Sequence, residues 1–158
     1  MRKGVVAACC ALSIVASVRA QAPAKDDREA VLAVVKQLFD GMRARDAAAI
    51  RALFHPSAQL FSSSVRDGKP EISVIPVEKF AAAVGRPGPE LNDERTRNEV
   101  VHVDGTFASV WAEYAFYRGS TFSHCGVDAF HLAKDADGWK IVSLADTRRT
   151  EPCEGWPR

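Results

Sequence analysis

The chain has 158 residues, of which 47% are hydrophobic and 26% charged, and its formal net charge is +1. This length suits a single domain, and the composition excludes a chain that is disordered throughout. The near-neutral charge provides no basic surface for nucleic acid, and no apolar run is long enough to span a membrane. The four cysteines form no Cys-x-x-Cys pair of the kind that binds zinc.

The first twenty residues have the three-part pattern of a secretory signal peptide. A basic start at Met1–Lys3 precedes an apolar stretch over residues 4–18, and small residues lead up to Ala20. We therefore expect cleavage after Ala20 and a secreted or periplasmic protein. The alternatives are an uncleaved N-terminal anchor and, because Cys9 stands in a lipoprotein-like box, lipidation.

Cleavage there divides the chain into a signal peptide (1–20), a tether (21–27), a domain (28–150) and a tail (151–158). The mature chain has 138 residues and a net charge of −2, and its two cysteines are Cys125 and Cys153. A pair of cysteines in an oxidising compartment predicts a disulfide, with two separate thiols as the alternative.

Apolar residues at helical spacing predict two N-terminal helices, and a third follows later. The first covers about residues 27–44. Asp46 caps a shorter second helix, which ends before His55-Pro56 because the residue before proline avoids helical angles. Pro76 fits the first turn of a third helix that ends near Val84.

Alternating patterns between and after these helices predict six strands. A hairpin with Asp67-Gly68 at its turn joins strands around Ala58–Ser63 and Glu71–Ile75. Four further strands form an antiparallel meander at about 95–104, 107–118, 121–133 and 138–148. Helices gathered on one side of a mostly antiparallel sheet predict an α+β domain.

Five sequence motifs add to this element order. They are Leu53-Phe54-His55-Pro56, Tyr114-Ala115-Phe116-Tyr117, Ser123-His124-Cys125-Gly126-Val127-Asp128-Ala129-Phe130, Asp137-Gly138-Trp139-Lys140-Ile141 and Asp146-Thr147-Arg148-Arg149. Together they resemble the nuclear-transport-factor-2-like superfamily, and more closely its secreted bacterial lumazine-binding-like members. The resemblance implies a cystatin-like cone, with three N-terminal helices packed on a curved sheet, and a homodimer. The superfamily includes isomerases, polyketide cyclases, epoxide hydrolases and binding proteins, so the fold alone does not choose among functions.

Strand register assigns the polar residues to faces of the sheet. If both turns that flank the strand at 121–133 contain two residues, Asp128 lies opposite Trp111 and Ala145. One face then carries Phe107, Trp111, Glu113, His124, Asp128, Phe130, Ser143, Thr147 and Arg149. The other carries Val110, Ala112, Tyr114, Phe116, Cys125, Val127, Ala129, Val142, Leu144, Asp146 and Arg148. We expect the first face to line a cavity, because it mixes aromatic walls with a few ionisable groups.

Asp128 and His124 are the candidate catalytic residues, and each has a structural alternative. A carboxyl beside Trp111 would be partly desolvated, which raises its pKa toward a range useful for proton transfer. Otherwise Asp128 is a structural hydrogen-bond acceptor, and His124 a sheet histidine. The candidate ligand-binding residues are Trp111, Glu113, Tyr114, Phe130, Arg149 and His55. No two histidines have the spacing of a helical zinc pair, so we expect no metal site. We also expect no cofactor.

Three functions remain open at this point. The leading hypothesis is a domain that binds a small molecule. The second is a cofactor-free isomerase, cyclase or hydratase that uses Asp128 as general base. The third is a non-catalytic dimeric interaction module.

Overall fold

The computed structural model describes residues 25–151 and 153–156. The predicted signal peptide and most of the predicted tether lie outside the described residues. Within them are three helices and six strands. The helices are α1 (Lys25–Ala44), α2 (Ala47–Leu53) and α3 (Val77–Val84), and the strands are β1 (Phe54–Arg66), β2 (Lys69–Pro76), β3 (Asn92–Asp104), β4 (Phe107–Arg118), β5 (Thr121–Asp135) and β6 (Gly138–Arg148).

The first two helices form for the reasons that their sequence indicates. Helix α1 buries a stripe at helical spacing that includes Val31, Val35 and Leu38. The Asp46 carboxylate caps α2 by accepting hydrogen bonds from the backbone N–H groups of Ala48 and Ala49, at 3.0 and 2.9 Å. Helix α2 passes directly into β1, whose second and third residues are the predicted helix-ending pair His55-Pro56.

All six strands form one sheet in the order β2-β1-β6-β5-β4-β3. Only the β1–β6 pair is parallel, and the other four pairs are antiparallel. The three helices contact one face of this sheet, and the main core lies between them. The predicted α+β fold, with helices on a mostly antiparallel sheet, is confirmed.

Aromatic side chains join the helices to the sheet inside this core. Phe39 of α1 meets Phe130 of β5 edge to face, with ring centroids 6.2 Å apart. Phe54 and Phe80 make a similar contact at 6.4 Å. Within the described part of the chain, none of the helices has the length and apolar character needed to cross a membrane.

Candidate functional site

Two β-bulges, one on each side of β5, decide which side chains meet inside the fold. Between β4 and β5, Ser123 is the extra residue, so that His124 pairs with Phe116. Between β5 and β6, Val142 is the extra residue. Because side chains alternate along a strand, each bulge moves the residues beyond it to the other face relative to the neighbouring strand.

The bulges overturn the predicted register of β5. Asp128 pairs with Ala112 and Asp146, not with Trp111 and Ala145. The predicted division of the sheet into two faces is therefore wrong. The face that meets the helices combines members of both predicted sets, namely Val110, Ala112, Tyr114, Phe116, His124, Asp128, Phe130, Leu144, Asp146 and Arg148.

A cavity of about 330 Å³ lies between this face and the helices. Its apolar lining includes Leu38, Phe39, Met42, Leu60, Ile75, Phe80, Ala83, Val84, Phe116 and Leu144. Its polar lining consists of Ser62, Asn92, Glu94, Arg118, His124, Asp128, Asp146 and Arg148. Apolar walls with a small number of polar groups are typical of sites that bind small molecules.

Three carboxyl groups meet in this cavity, from β3, β5 and β6. Asp128 is 2% exposed. Asp146, its cross-strand partner, is partly buried, and so is Glu94. The carboxyls of Asp128 and Glu94 lie close enough for each to shift the pKa of the other. Among the N–H and hydroxyl groups of the described residues, none bonds to the buried Oδ2 atom of Asp128.

Burial of this cluster favours its protonated forms. It raises the pKa of Asp128 well above the usual value, and the charge and hydrogen bond of Glu94 raise it further. Burial also raises the pKa of Glu94 to about 7, against the hydrogen bond with Asp128, which lowers it. The pKa of Asp146 is raised as well, chiefly by burial. The pKa of each of the three carboxyls is thus shifted toward retention of its proton.

Tyr114 contacts the carboxyl cluster through Asp146. Its hydroxyl lies 3.3 Å from Oδ2 of Asp146 and donates to the carbonyl oxygen of Thr147 at 3.0 Å. Burial and the charge of Asp146 raise the pKa of Tyr114, so the hydroxyl keeps its proton. Gly126, opposite Tyr114 on β5, makes room for this arrangement, since a Cβ atom there would lie 1.7 Å from the Thr147 carbonyl oxygen.

His124 is a neutral side chain at the edge of the same cavity. Its ring stacks on Phe116 with centroids 4.9 Å apart and meets Tyr114 edge to face at 5.7 Å. Burial, followed by the positive charges of Arg148 and Arg118, lowers its pKa to about 4. The imidazole is thus uncharged at neutral pH, and its Nδ1 lies 3.1 Å from the Ser123 hydroxyl.

Only two of the predicted site residues, Asp128 and His124, line the cavity. Tyr114 lies beneath the acidic cluster, and Phe130 packs in the core against Phe39. His55 borders a separate depression formed by residues of α2, β1, β2 and α3, where its Nδ1 lies 2.7 Å from the Ser57 hydroxyl.

The other three candidates lie on the opposite face of the sheet. Trp111 is 55% exposed there. Glu113 forms an ion pair with Arg97 at 2.8 Å. Arg149 pairs through its backbone with Cys125, which likewise points away from the cavity. None of the three reaches the cavity.

Sequence reasoning missed Glu94 and Asp146 as members of the cluster. Glu94 lies in a polar run, residues 92–99, that gives no apolar contrast, and the bulge at Val142 reversed the face expected for Asp146. Asp146 could have been found by also considering the register shifted by one residue, in which it lies opposite Asp128. Among the described residues, no three His, Cys, Asp or Glu side chains are grouped so as to hold a metal ion.

A disulfide joins Cys125 to Cys153, 28 residues apart, as the sequence predicts. Cys125 is fully buried in a small apolar cluster with Ala115 and Tyr117 on the outer side of the sheet. The bond therefore ties the C-terminal tail to the face opposite the cavity.

Comparison with known proteins identifies the fold family. A family model described as "Putative lumazine-binding" matches residues 26–145. A cystatin-like protein of unknown function from Nostoc punctiforme aligns with a TM-score of 0.64 and 8% identity, over 83% of this chain and 97% of that one. An NTF2-like protein of unknown function from Shewanella baltica gives 0.60 and 20%, over 84% and 100%. No curated protein sequence matches the chain.

A further structural neighbour has an enzymatic description. It is described as a "putative dehydratase" of the NTF2-like family from Streptomyces avermitilis, with a TM-score of 0.59 and 16% identity over 78% of this chain and 96% of that one. At these identities the neighbours establish the cone-shaped NTF2-like fold, whereas the family match covers most of the chain.

Proposed function

This chain belongs to the lumazine-binding family of NTF2-like domains, and we propose that it binds a small, partly apolar molecule in the cavity between helices and sheet. The observation that carries the proposal is the apolar cavity with the unpartnered Oδ2 atom of Asp128 buried beside it. A buried polar atom without a partner costs free energy, which a ligand hydrogen bond would recover. The family name does not make lumazine the ligand of this chain.

The binding test uses a neutral fluorescent probe, N-phenyl-1-naphthylamine, whose emission rises in apolar surroundings. We expect the mature protein to bind it, and Ala83→Trp to weaken binding about tenfold or more, because the indole would fill space that the ligand occupies. Ala82→Trp is the matched control, since Ala82 is exposed on the same helix and does not line the cavity. Absence of binding, or equal loss in both variants, would contradict the proposal.

Proton-transfer catalysis is the second candidate function, and the buried Asp128 beside Glu94 in the same cavity favours it. Within this pair, the carboxyl with a pKa of about 7, Glu94, titrates where a general base works best at neutral pH. The raised pKa of Asp128 suits it to supply or take up the second proton. Both residues would thereby share the role that the sequence assigns to Asp128 alone.

The catalytic test uses 5-nitrobenzisoxazole, which opens when a base removes its C3 proton and the ring N–O bond breaks. We expect turnover that increases with pH around 7, because only the carboxylate form of Glu94 accepts the proton. Asp128→Asn and Glu94→Gln should each abolish it, whereas Glu90→Gln, in the exposed loop before β3, should not. Turnover that survives both substitutions, or none in the wild type, refutes this candidate.

Secretion is a separate part of the proposal, supported by the N-terminal pattern and by the disulfide. Residues 1–20 would be removed on export to the periplasm or the exterior. Native mass spectrometry of protein recovered from the periplasm tests this, since the mature chain should begin at Gln21. The same spectrum shows any ligand that copurifies. An intact Met1 in exported protein contradicts the predicted cleavage.

A homodimer is proposed from an apolar row on the outer face of the sheet. Six residues, one from each strand, follow one another in register across the whole sheet. From β3 to β2 they are Val100, Trp111, Ala129, Ala145, Phe61 and Val74. A contiguous apolar patch on an open sheet face marks an interaction surface. If the cavity does not bind small molecules, the hypothesis that remains is a non-catalytic interaction module that acts through this surface.

A further inference from the structure

Two arginines of the cavity lining make no ion pair with any side chain in the described part of the chain. Arg118 and Arg148 are exposed, and among the described residues neither side chain makes an ion pair or a hydrogen bond. Other arginines near the sheet are paired, as Arg43 is with Asp93 and Arg97 is with Glu113. Unpaired guanidinium groups beside an apolar cavity are suited to bind an anion, since each presents several N–H donors in one plane.

The two arginines line the cavity from the strands on either side of β5, Arg118 opposite Thr121 and Arg148 opposite Gly126, with His124 between these two positions. Arg118 follows Phe116 on β4, and Arg148 follows Asp146 on β6, each two residues further along the same face and about 7 Å away by strand rise. His124 belongs to the strand between them, and the charges of both arginines act on it. An anion held there would meet two positive groups and a neutral imidazole.

The carboxyl cluster disfavours an anionic group of the ligand at its own position, in contrast to the two arginines. Asp128 is buried next to Glu94 and Asp146, so a second anion placed there would be repelled and desolvated. A polar group that bonds to a carboxyl fits that position instead. The cavity therefore distinguishes the two ends of an elongated ligand.

We propose that the cavity selects ligands with an apolar body and a single oxyanion, such as a carboxylate, sulfonate or phosphate, bound by Arg118 and Arg148. The uncharged polar end of the ligand faces Asp128. This inference rests on the proposed binding function and adds to it the charge class and the orientation of the ligand.

The test compares two probes that share one skeleton. N-phenyl-1-naphthylamine is neutral, and 1-anilinonaphthalene-8-sulfonate carries a sulfonate on the same ring system. We expect Arg118→Gln and Arg148→Gln each to weaken binding of the sulfonate about 3-fold, and the double variant about 10-fold, with the neutral probe unaffected. Added salt should weaken sulfonate binding to the wild type more than to the double variant.

Arg149→Gln is the matched control, because it removes the same charge one residue along, on the face opposite the cavity. It should leave both affinities unchanged. If the neutral probe binds and Ala83→Trp blocks it, but the arginine variants do not change sulfonate binding, the charge inference fails and the proposed function stands. An equal effect of Arg149→Gln and Arg148→Gln also overturns the inference. Failure of both probes to bind overturns the inference and the proposed function together.

Discussion

The pKa of Asp128 is higher in the folded protein than in the unfolded chain, where an aspartate loses its proton above about pH 4. Because its pKa is higher when folded, the folded state binds more protons, and stability falls as pH rises from the unfolded pKa toward the folded one. We predict that Asp128→Asn reduces this dependence, since an amide has the shape of the protonated acid and does not titrate. Between pH 5 and 7 the wild type should lose up to about 2.7 kcal/mol relative to the variant, because one proton contributes about 1.36 kcal/mol per pH unit.

Urea unfolding at several pH values measures this difference. Asp67→Asn is the control, since Asp67 is an exposed aspartate in the β1–β2 turn, and its substitution should leave the pH profile of the wild type unchanged. If Asp128→Asn and the wild type lose stability in parallel, the Asp128 proton is not part of the folded state.

Gly126 is required for steric reasons. A Cβ atom there would lie 1.7 Å from the Thr147 carbonyl oxygen and 2.9 Å from the Tyr114 ring. We predict that Gly126→Ala destabilises the protein by about 3 kcal/mol or more, because β6 must move away from β5. Thermal unfolding measures the loss.

Gly68→Ala separates this steric effect from backbone strain. Gly68 has a φ of +75° with nothing near its Cβ position, so its substitution should cost only about 1 kcal/mol. Equal losses at the two glycines would show that contact with Thr147 is not what Gly126 avoids.

At the level of elements, the sequence predicts most of what local chemistry determines. The predicted spans of β4 and β6 agree with the structure, because turn residues and alternation mark both ends. The Asp46 cap is confirmed for the same reason. The two bulges have no such mark, since Ser123 and Val142 are ordinary strand residues. Each adds one residue whose place is decided by contacts with a neighbouring strand.

The candidate site depends on those bulges, and this explains why it was predicted only in part. Asp128 and His124 are correctly placed on one face because they lie on the same strand. Their neighbours from β4 and β6 were assigned with the wrong parity, which exchanged Trp111 for Ala112 and Ala145 for Asp146. A prediction of side-chain partners across strands is thus only as good as the register.

The disulfide and Arg97 fasten the C-terminal tail to the outer face. Arg97 donates to the carbonyl oxygens of Gly155 and Glu154 at 2.8 and 2.7 Å, and its guanidinium lies 4.5 Å from the Trp156 ring centroid. We predict that reduction of the bond between Cys125 and Cys153 lowers the free energy of unfolding by about 2–4 kcal/mol, since the unfolded chain gains freedom.

Urea unfolding with and without a thiol reductant measures this loss. Cys153→Ser is the control, because a protein that lacks the bond should not respond to the reductant. Binding of N-phenyl-1-naphthylamine should persist after reduction, since the bond lies on the face opposite the cavity. A stability that does not change on reduction of the wild type contradicts the prediction.

On the scale of the whole molecule, the sheet separates two kinds of surface. Its inner face, covered by helices, holds the cavity with its carboxyls and arginines. Its outer face carries the apolar row, in which Val100, Trp111 and Val74 are 49%, 55% and 57% exposed. Ala129 and Ala145 at the centre of the row are small, so another sheet could approach closely there.

We predict that this row is the dimer interface. Trp111→Glu would place a charge within the contact, where its desolvation is unfavourable, and should convert the dimer into a monomer. Leu91→Glu makes the same kind of change at an exposed position in the loop before β3, and should leave the dimer intact. Light scattering coupled to size-exclusion chromatography measures both masses. A monomeric wild type, or a Trp111→Glu dimer, would contradict the prediction. Because the cavity lies on the other face, the monomer should still bind N-phenyl-1-naphthylamine, so binding and assembly can be measured independently.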